Sequence, residues 1–382
     1  MSNEQTISGR ILRRRDVGGI VFVDLLTAEA VEKLVARKDL VETAEFEKIK
    51  ELKRDDFCEV ETEAVGKDRV LKRVIRHIPK RNRYFWSEDQ VEVVRAYASI
   101  LKSLRDFLAE NRYTEVQAPT IHPGNVKDEA FSFDFFGKPA RLTSSNALFL
   151  DIYALQMQRV FCLQKCFRAE KSHTARHLAE FTMLEAAAMN RTLEDTVGLV
   201  ERMVKFVLSR LQGSPGAHLC PLNIPSLMDG EFEVVEYKSL EKRYDLKGKG
   251  LGKYEKDIAS KKPLFVLHFP HRIASWSARP VDDRYSASFN LLLPGVGEVA
   301  EGAKRQTNME WMIKKIKNSG MEAQLGWYPK MMPYTDFNLA GFGLGVERLA
   351  MWLLGRRNIR ELLPIYRDTD FPEQKIGQGG LP

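Results

Sequence analysis

Residues 160–185 read VFCLQKCFRAEKSHTARHLAEFTMLE, two apolar runs separated by a polar loop, and this stretch decides the fold class. The runs predict the two strands of a hairpin. Arg168 stands at the end of the first strand, Arg176 and His177 lie in the loop, and Phe181 opens the second strand. Because guanidinium groups bind phosphate oxygens and an aromatic face can stack on adenine, the hairpin is a candidate nucleotide site. A solvated hairpin with charged surface residues is the alternative for this element alone.

A second candidate is the glycine-rich stretch GFGLGVER at residues 341–348, which leads into an amphipathic helical pattern. We predict a glycine-rich turn that opens the last helix. Taken alone the stretch resembles a phosphate-binding loop, but the strand and the βαβ pattern that such a loop requires are missing around it. The glycines can instead allow a helix start to pack closely on a sheet, which leaves Arg348 to face a ligand.

A third candidate lies in FNLLLPGVGEV at residues 289–299, where Asn290 and Glu298 are separated by eight positions. An amide and a carboxylate can both approach a Mg²⁺ ion that bridges phosphate oxygens. A buried strand that ends in a Pro-Gly turn explains the same pattern without a ligand.

The chain is predicted to have two domains. In residues 1–80, short alternating runs separated by turns predict about five strands, typical of a small OB-type β-barrel. A basic segment from Pro79 to Arg83 marks the boundary, and Ser87 is expected to cap a long helix after it. From 81 to 382 helices and strands follow without regular alternation, which predicts an α+β domain with an antiparallel sheet flanked by helices.

The composition is that of an ordinary globular protein of 382 residues, 44% hydrophobic and 29% charged. A net charge of +7 permits an acidic partner such as a nucleotide or nucleic acid without requiring one. The four cysteines form no C-x-x-C pair, which disfavours a zinc site or a disulfide framework. No apolar leader or membrane-spanning run is evident, so we expect a cytoplasmic protein with no membrane partner.

Taken together in chain order, the motifs resemble those of the class II aminoacyl-tRNA synthetases. The helix ending in TEVQAPTI resembles motif 1, FRAE…RHLAEF resembles motif 2, and GFGLGVER resembles motif 3. PGVGEVAEGAKR and GFGLGVERLAMWLLGRRNIRELLPIYR are similar to asparaginyl- and aspartyl-tRNA synthetases in particular. The likeness covers nearly all of 81–382, and the N-terminal module matches the family's anticodon-binding OB fold. It implies ATP and Mg²⁺ as cofactors and a homodimer with Pro119 at its interface.

The resemblance also implies the role of each residue. Arg168 would contact the α-phosphate of ATP and the carboxylate being activated, and Arg348 would bind the γ-phosphate, so both are expected to be catalytic. The other ATP-binding residues implied are Glu170, Arg176, His177, Phe181, Glu298 and Gly345. Substrate binding is implied for Ser145, Ala147, Glu185, Arg305 and Gly341, and metal binding for Glu298 and Asn290. The reaction would give an acyl-adenylate and pyrophosphate without a covalent protein nucleophile.

Departures from the family concentrate where the amino-acid end of the substrate would bind. The family's Glu-Gly-Gly or Glu-Gly-Ala is absent from residues 122–127, and its α-amino-reading glutamine is replaced by Ala147. Near motif 3 the usual His-Gly/Ala-Gly is Leu339-Ala340-Gly341, and the aspartate on the metal side is Asn290. Because a desolvated ammonium without acceptors is costly, these changes disfavour a standard amino acid as substrate.

We therefore predict an ATP-dependent ligase that adenylates a small carboxylic acid and passes the acyl group to ammonia or an amine, forming an amide. The binding of tRNA stays open in this prediction. The alternative is a divergent asparaginyl- or aspartyl-tRNA synthetase, with the missing readers replaced by residues such as Asp128 or Glu129. A non-enzymatic regulator is disfavoured, because Arg168 and Arg348 are both present.

Overall fold

A computed structural model describes residues 4–80, 88–124, 130–171, 174–214, 216–222, 224–332 and 337–369. The predicted cap Ser87, hinge residues 81–83 and the candidate readers Asp128 and Glu129 lie outside these ranges. The chain divides into two units, one within residues 1–88 and one within residues 89–375. Over the described ranges, none of the helices is both long enough and apolar enough to cross a membrane.

The first unit is a closed barrel of five strands in the order β1-β2-β3-β5-β4, which confirms the predicted OB-type module. Alternating residues of the strands fill its interior, for example Val21, Val23 and Leu25. One helix was not predicted, and it buries Phe46 and Ile49 against the barrel core. The elements are β1 Glu4–Val17, β2 Ile20–Leu26, β3 Val31–Arg37, α1 Thr43–Glu51, β4 Phe57–Val65 and β5 Asp68–Ile78.

The second unit is built on an eight-stranded sheet in the order β12-β13-β14-β15-β16-β11-β10-β6. All neighbours pair antiparallel except β12 with β13 and β10 with β6, so the predicted antiparallel α+β class is confirmed. A small sheet has the order β7-β9-β8. The strands are β6 Thr114–Glu115, β7 Ile121–Pro123, β8 Ser132–Phe135, β9 Lys138–Leu142, β10 Arg159–Phe167, β11 Glu180–Met189, β12 Glu233–Glu236, β13 Leu264–Leu267, β14 Ser288–Leu293, β15 Gly297–Lys304 and β16 Leu339–Gly345.

Helices pack on the sheet through apolar faces. The predicted helix over 193–212 is present with those bounds, begins with a capping box between Thr192 and Asp195, and buries a stripe from Leu193 to Leu211. The helices are α2 Glu88–Glu110, α3 Ala147–Met157, α4 Leu193–Gln212, α5 Ile224–Asp229, α6 Tyr237–Tyr244, α7 Glu255–Ile258, α8 Met309–Asn318, α9 Glu322–Leu325, α10 Tyr328–Met331 and α11 Val346–Leu353. Within the described ranges, 3₁₀ helices span Ala217–Leu219, Gly252–Tyr254 and Ile359–Glu361.

Two sequence predictions in this unit are wrong. The strand expected over residues 114–121 is interrupted, since β6 ends at Glu115 and β7 begins at Ile121. Between them the chain passes Pro119, which cannot donate a ladder hydrogen bond. The stretch expected to be a glycine-rich turn is strand β16, which pairs with β11 on one side and β15 on the other. Its glycines alternate with Phe342 and Leu344, the period of a strand, and both apolar residues are buried.

Candidate active site

One cavity of about 240 Å³ brings together most of the residues singled out in the sequence. Residues of β11, β15 and β16 line it, together with Arg168 after the end of β10 and the first turn of α11. The sequence-predicted residues that line it are Ser145, Ala147, Arg168, Arg176, His177, Phe181, Glu185, Glu298, Arg305, Gly345 and Arg348. The hairpin of β10 and β11 supplies the central group, because Arg168 follows one strand and Phe181 lies near the start of the other.

Basic groups line one part of the cavity. The Arg176 Nη1 donates to Glu255 Oε2 and to the Val296 carbonyl oxygen, both at 2.7 Å. The Arg348 Nη1 donates to the Glu298 carbonyl oxygen at 3.0 Å, and Arg168 is 3.4 Å from Glu170 Oε1. Burial and the nearby Arg348 lower the pKa of His177. Three guanidinium groups in one half-buried cavity suit a ligand that carries several negative charges.

Two carboxylates, Glu298 and Glu301, face the same cavity from strand β15. A strict alternation would place residues three apart on opposite faces of a strand. A β-bulge changes this, because Leu292 pairs with Glu298 whereas Leu291 pairs with Ala300, which leaves one extra residue between them. Burial, followed by the charge of Glu301, raises the pKa of Glu298 to about 7, although its side chain retains 34% exposure within the cleft.

The opposite part of the cavity contains Ser145, Glu185 and Arg305. The Ser145 hydroxyl donates to Glu185 Oε1 at 2.5 Å, and the Asn146 backbone N–H donates to Glu185 Oε2 at 2.7 Å. Burial raises the pKa of Glu185, and these hydrogen bonds oppose the rise. The Arg305 Nε donates to Asp151 Oδ1 at 3.3 Å. This part therefore has both acidic acceptors and a fixed guanidinium.

Three of the predicted site residues lie outside the cavity lining. Glu170 lies beside Arg168. Gly341 lies behind Arg305, since a Cβ placed on it would be 3.1 Å from Arg305 Nη2 and 2.6 Å from the Ala186 carbonyl oxygen. Asn290 lies in an adjoining cavity of about 150 Å³ that Glu298 and Glu301 also line. Its Nδ2 donates to Glu298 Oε2 at 2.6 Å, so the amide positions that carboxylate.

Sequence reasoning missed several residues that shape the site. Glu347 is buried and its carboxylate accepts from the Thr182 backbone N–H at 2.9 Å and from the Tyr97 hydroxyl at 3.0 Å, which fixes the start of α11 beside β11. A signal for Glu347 was available, because it precedes Arg348 in GFGLGVER. Asp151 and Glu301 carried no local signal in the sequence. Asp151 contacts Arg305, which is distant along the chain, and Glu301 faces the cavity because of the β-bulge.

The donor set also fits a hard divalent cation. Among the described residues, no group of three or more His, Cys, Asp and Glu side chains converges on a metal position. Mg²⁺ commonly uses only one or two carboxylates, with phosphate oxygens and waters completing its shell. Glu298, positioned by Asn290 and beside the basic groups, meets that smaller requirement.

Comparisons with known proteins agree with this architecture. Residues 76–369 match the family described as tRNA synthetases class II (D, K and N). The asparagine-tRNA ligase of Thermoplasma acidophilum is 28% identical, and the match covers 96% of each chain. The mitochondrial asparagine-tRNA ligase of Schizosaccharomyces pombe is 32% identical over 80% of this chain and 74% of that protein.

Solved structures show the same fold. The asparaginyl-tRNA synthetase of Pyrococcus horikoshii complexed with asparaginyl-adenylate superposes with a TM-score of 0.86 at 24% identity, covering 97% of this chain and 96% of that chain. The Entamoeba histolytica asparaginyl-tRNA synthetase in complex with asparaginyl-adenylate superposes with a TM-score of 0.81 at 25% identity, with the same coverage. The match over residues 76–369 spans most of the sequence, and the chain belongs to the class II tRNA synthetases of the D, K and N group.

Proposed function

We propose that this chain is a divergent asparaginyl-tRNA synthetase, which activates asparagine with ATP and transfers it to tRNA. The likeness to asparagine-tRNA ligases extends over the barrel as well as the sheet domain, at 96% of both chains for the Thermoplasma protein. The comparisons support this function better than the amide-forming reaction that the sequence favoured.

The observation that carries the proposal is the division of one cavity into two chemically different parts. Arg168, Arg176 and Arg348 suit a triphosphate, with Phe181 beside them to stack on a base. Glu185 and Glu301 line the same cavity and provide acceptors for an ammonium group. The replacement of the family's glutamine by Ala147 therefore does not leave an α-amino group without partners, which removes the main objection to an amino-acid substrate.

The reaction follows from this placement. A carboxylate oxygen of the amino acid attacks the α-phosphorus of ATP, a new P–O bond forms, the bond from the α-phosphorus to the bridging oxygen breaks, and pyrophosphate leaves. Arg168 and Arg348 stabilise the negative charge that develops on the phosphoryl oxygens, and Arg348 is already oriented by its hydrogen bond to the Glu298 carbonyl oxygen. A ribose hydroxyl of tRNA then attacks the acyl carbon of the adenylate, an ester bond forms, the bond from the acyl carbon to the phosphate oxygen breaks, and AMP leaves.

Mg²⁺ is part of the proposal, with Glu298 as its protein ligand and Asn290 in support. When bound, the ion would neutralise part of the triphosphate charge. The protein's own contribution is to hold Glu298 next to the basic groups, because Arg348 Nη1 lies 3.6 Å from its Oε1.

Amide formation remains a second candidate because of Ala147. An acid without an α-amino group would not need the glutamine that the family carries at this position, and ammonia or an amine would then be the acceptor. Succinamate and succinate, which lack the α-amino group, are suitable probes for this alternative.

We also propose a homodimer. One face of edge strand β8, extended by the residue before it, carries a row of aromatic side chains: Phe131, Phe133 and Phe135. All three side chains are exposed. Strand β7, which follows Pro119, belongs to the same small sheet. An exposed aromatic row next to the motif 1 segment supports contact with a second copy of this chain.

The functions are separated by ATP–pyrophosphate exchange with asparagine, aspartate, succinamate and succinate, followed by charging of tRNA. We expect exchange with asparagine and formation of asparaginyl-tRNA. Exchange with the amino-free acids alone, together with amide formation from ammonia, would support the second candidate and exclude the first.

A further inference from the structure

Residues 238–262 form a strongly basic segment between strands β12 and β13. The segment carries nine lysine and arginine residues against four aspartate and glutamate residues, a net charge of +5 out of +7 for the whole chain. All nine basic residues are exposed. Most of the excess charge of the chain is therefore concentrated on one short segment, which is the pattern expected of a surface that meets a polyanion.

The fold holds this segment in a fixed conformation. Leu246 and Leu251 are buried in an apolar cluster at this edge of the sheet domain. The hydroxyl of the buried Tyr237 donates to the Lys249 carbonyl oxygen at 2.7 Å. The backbone positions of the basic residues are thus set before a ligand binds, which lowers the cost of ordering them.

The glutamates of the segment offset little of this charge at the surface. Glu241 accepts from Arg284 Nη2 at 2.5 Å, and Glu255 accepts from Arg176 Nη1 at 2.7 Å. Both glutamate side chains are only 13% exposed, and both pair with arginines outside the segment. The exposed side of residues 238–262, which we call the basic face, therefore presents nine cations and only two carboxylates.

The basic face adjoins the cavity through Glu255. The Glu298 backbone N–H donates to Glu255 Oε2 at 3.1 Å, the same oxygen that accepts from Arg176. Arg176 and Glu298 both line the cavity. The exposed residues Lys253 and Lys256 lie on either side of Glu255 in the sequence, so the basic face extends to the edge of the cavity.

This position indicates the chemistry of the partner. In the proposed function a tRNA presents a ribose hydroxyl to the cavity, and the nucleotides that lead to this ribose are joined by phosphates. Lysine and arginine side chains neutralise such phosphates and release their counterions, and they do so without reading the base sequence. A basic surface that reaches the cavity suits the strand that leads to the reacting ribose.

We propose that the basic face binds backbone phosphates at the end of tRNA that enters the cavity, and so positions its ribose hydroxyl for attack on the adenylate. The inference rests on the proposed function, because it takes tRNA to be the acyl acceptor. It requires contacts from the second unit alone, so an RNA that keeps the acceptor end and lacks the anticodon is sufficient to test it.

The test is equilibrium binding of RNA to the full-length protein at several KCl concentrations. Two RNAs are compared: a tRNA transcript with an asparagine anticodon, and a minihelix that keeps only its acceptor end. The variant combines Lys242→Gln, Lys247→Gln and Lys249→Gln. We expect it to bind both RNAs about 10- to 100-fold more weakly at low salt. The slope of log Kd against log salt should become shallower by about two to three, since three phosphate contacts are lost.

Two readouts separate this role from a general effect on the enzyme. Asparagine-dependent ATP–pyrophosphate exchange should be unchanged in the triple variant, because none of its three lysines lines the cavity. A control variant removes the same charge from exposed positions elsewhere in the second unit and should keep the RNA affinity and its salt dependence; it combines Lys102→Gln, Lys314→Gln and Lys330→Gln.

A second variant covers the case in which the triple variant does not fold. Lys261→Gln combined with Lys262→Gln removes two exposed charges at the other end of the basic face. It should weaken binding of both RNAs by about 3- to 10-fold and make the salt slope shallower by about one to two.

Unchanged RNA affinity and salt slope in the folded variant would overturn the inference. So would an equal loss in the control variant, a loss confined to the full-length transcript with the minihelix unaffected, or absence of RNA binding by wild type. Weaker binding to vesicles of anionic lipid, with RNA binding unchanged, would assign the basic face to a membrane surface and overturn the inference as well. The proposed function fails separately, if wild type binds RNA through these lysines but neither exchanges pyrophosphate with asparagine nor charges tRNA.

Discussion

Replacing Arg348 tests the assignment of the basic part of the cavity. The Arg348 side chain is only 21% exposed, and its Nη1 is held 3.0 Å from the Glu298 carbonyl oxygen, so the guanidinium is fixed before a ligand binds. A charge-assisted hydrogen bond is worth about 1.5–3 kcal/mol. Loss of a preorganised donor to a developing oxyanion typically lowers the rate by about 10²- to 10³-fold.

We therefore expect Arg348→Ala to lower kcat/KM for ATP in pyrophosphate exchange by about 100- to 1,000-fold. Arg348→Lys keeps the charge but loses the planar fork, so its loss should be smaller. Arg243→Ala is the matched control, because Arg243 is exposed on α6 and its guanidinium lies 5.2 Å from the Tyr244 ring centroid. The proposed homodimer should persist in all three variants.

If Arg348→Ala is folded and its exchange rate is close to that of wild type, the guanidinium does not face the phosphates and the orientation of ATP in the cavity is wrong. A loss of similar size in Arg243→Ala would show that the assay reports general destabilisation.

Three further predictions concern the fold and the assembly. Burial lowers the pKa of His122 to about 4, so between pH 6.5 and 4 the unfolded state binds more protons than the folded state. The free energy of unfolding should therefore fall by up to about 3 kcal/mol as the pH is lowered to 4. In urea titrations at several pH values, His122→Gln should flatten this dependence. Gly341→Ala should destabilise the fold by about 1–3 kcal/mol, because its Cβ would lie 2.6 Å from a backbone oxygen. Gly343→Ala should destabilise the fold less, since the nearest atom to its Cβ, at 3.0 Å, is the flexible end of Met183. Thermal unfolding of the two variants measures the difference, and equal losses of stability would contradict this prediction. Phe133→Asp combined with Phe135→Asp should give a folded monomer by light scattering, and a persistent dimer would place the interface elsewhere.

Local patterns predicted much of this structure. The hairpin of β10 and β11 places Arg168, Arg176 and Phe181 by strand order alone, and α4 has a cap and an apolar stripe that fix its bounds. Such features depend on neighbours close in sequence. They are therefore visible without knowledge of tertiary contacts.

The features that sequence reasoning missed depend on distant pairing. The glycines of β16 alternate with apolar residues, but glycine usually weakens a strand, so the local pattern does not reveal the strand. Two of these glycines, Gly343 and Gly345, line the cavity. Glu301 faces the same cavity as Glu298 only because of the β-bulge in β15. Asp151 is paired with Arg305, which is 154 positions away along the chain.

The most direct test of the central claim is asparagine-dependent ATP–pyrophosphate exchange with the purified full-length protein, followed by charging of tRNA with labelled asparagine. We predict exchange that requires asparagine and ATP, and formation of asparaginyl-tRNA. Exchange that depends on amino-free acids, with no charging of tRNA under the same conditions, would contradict it.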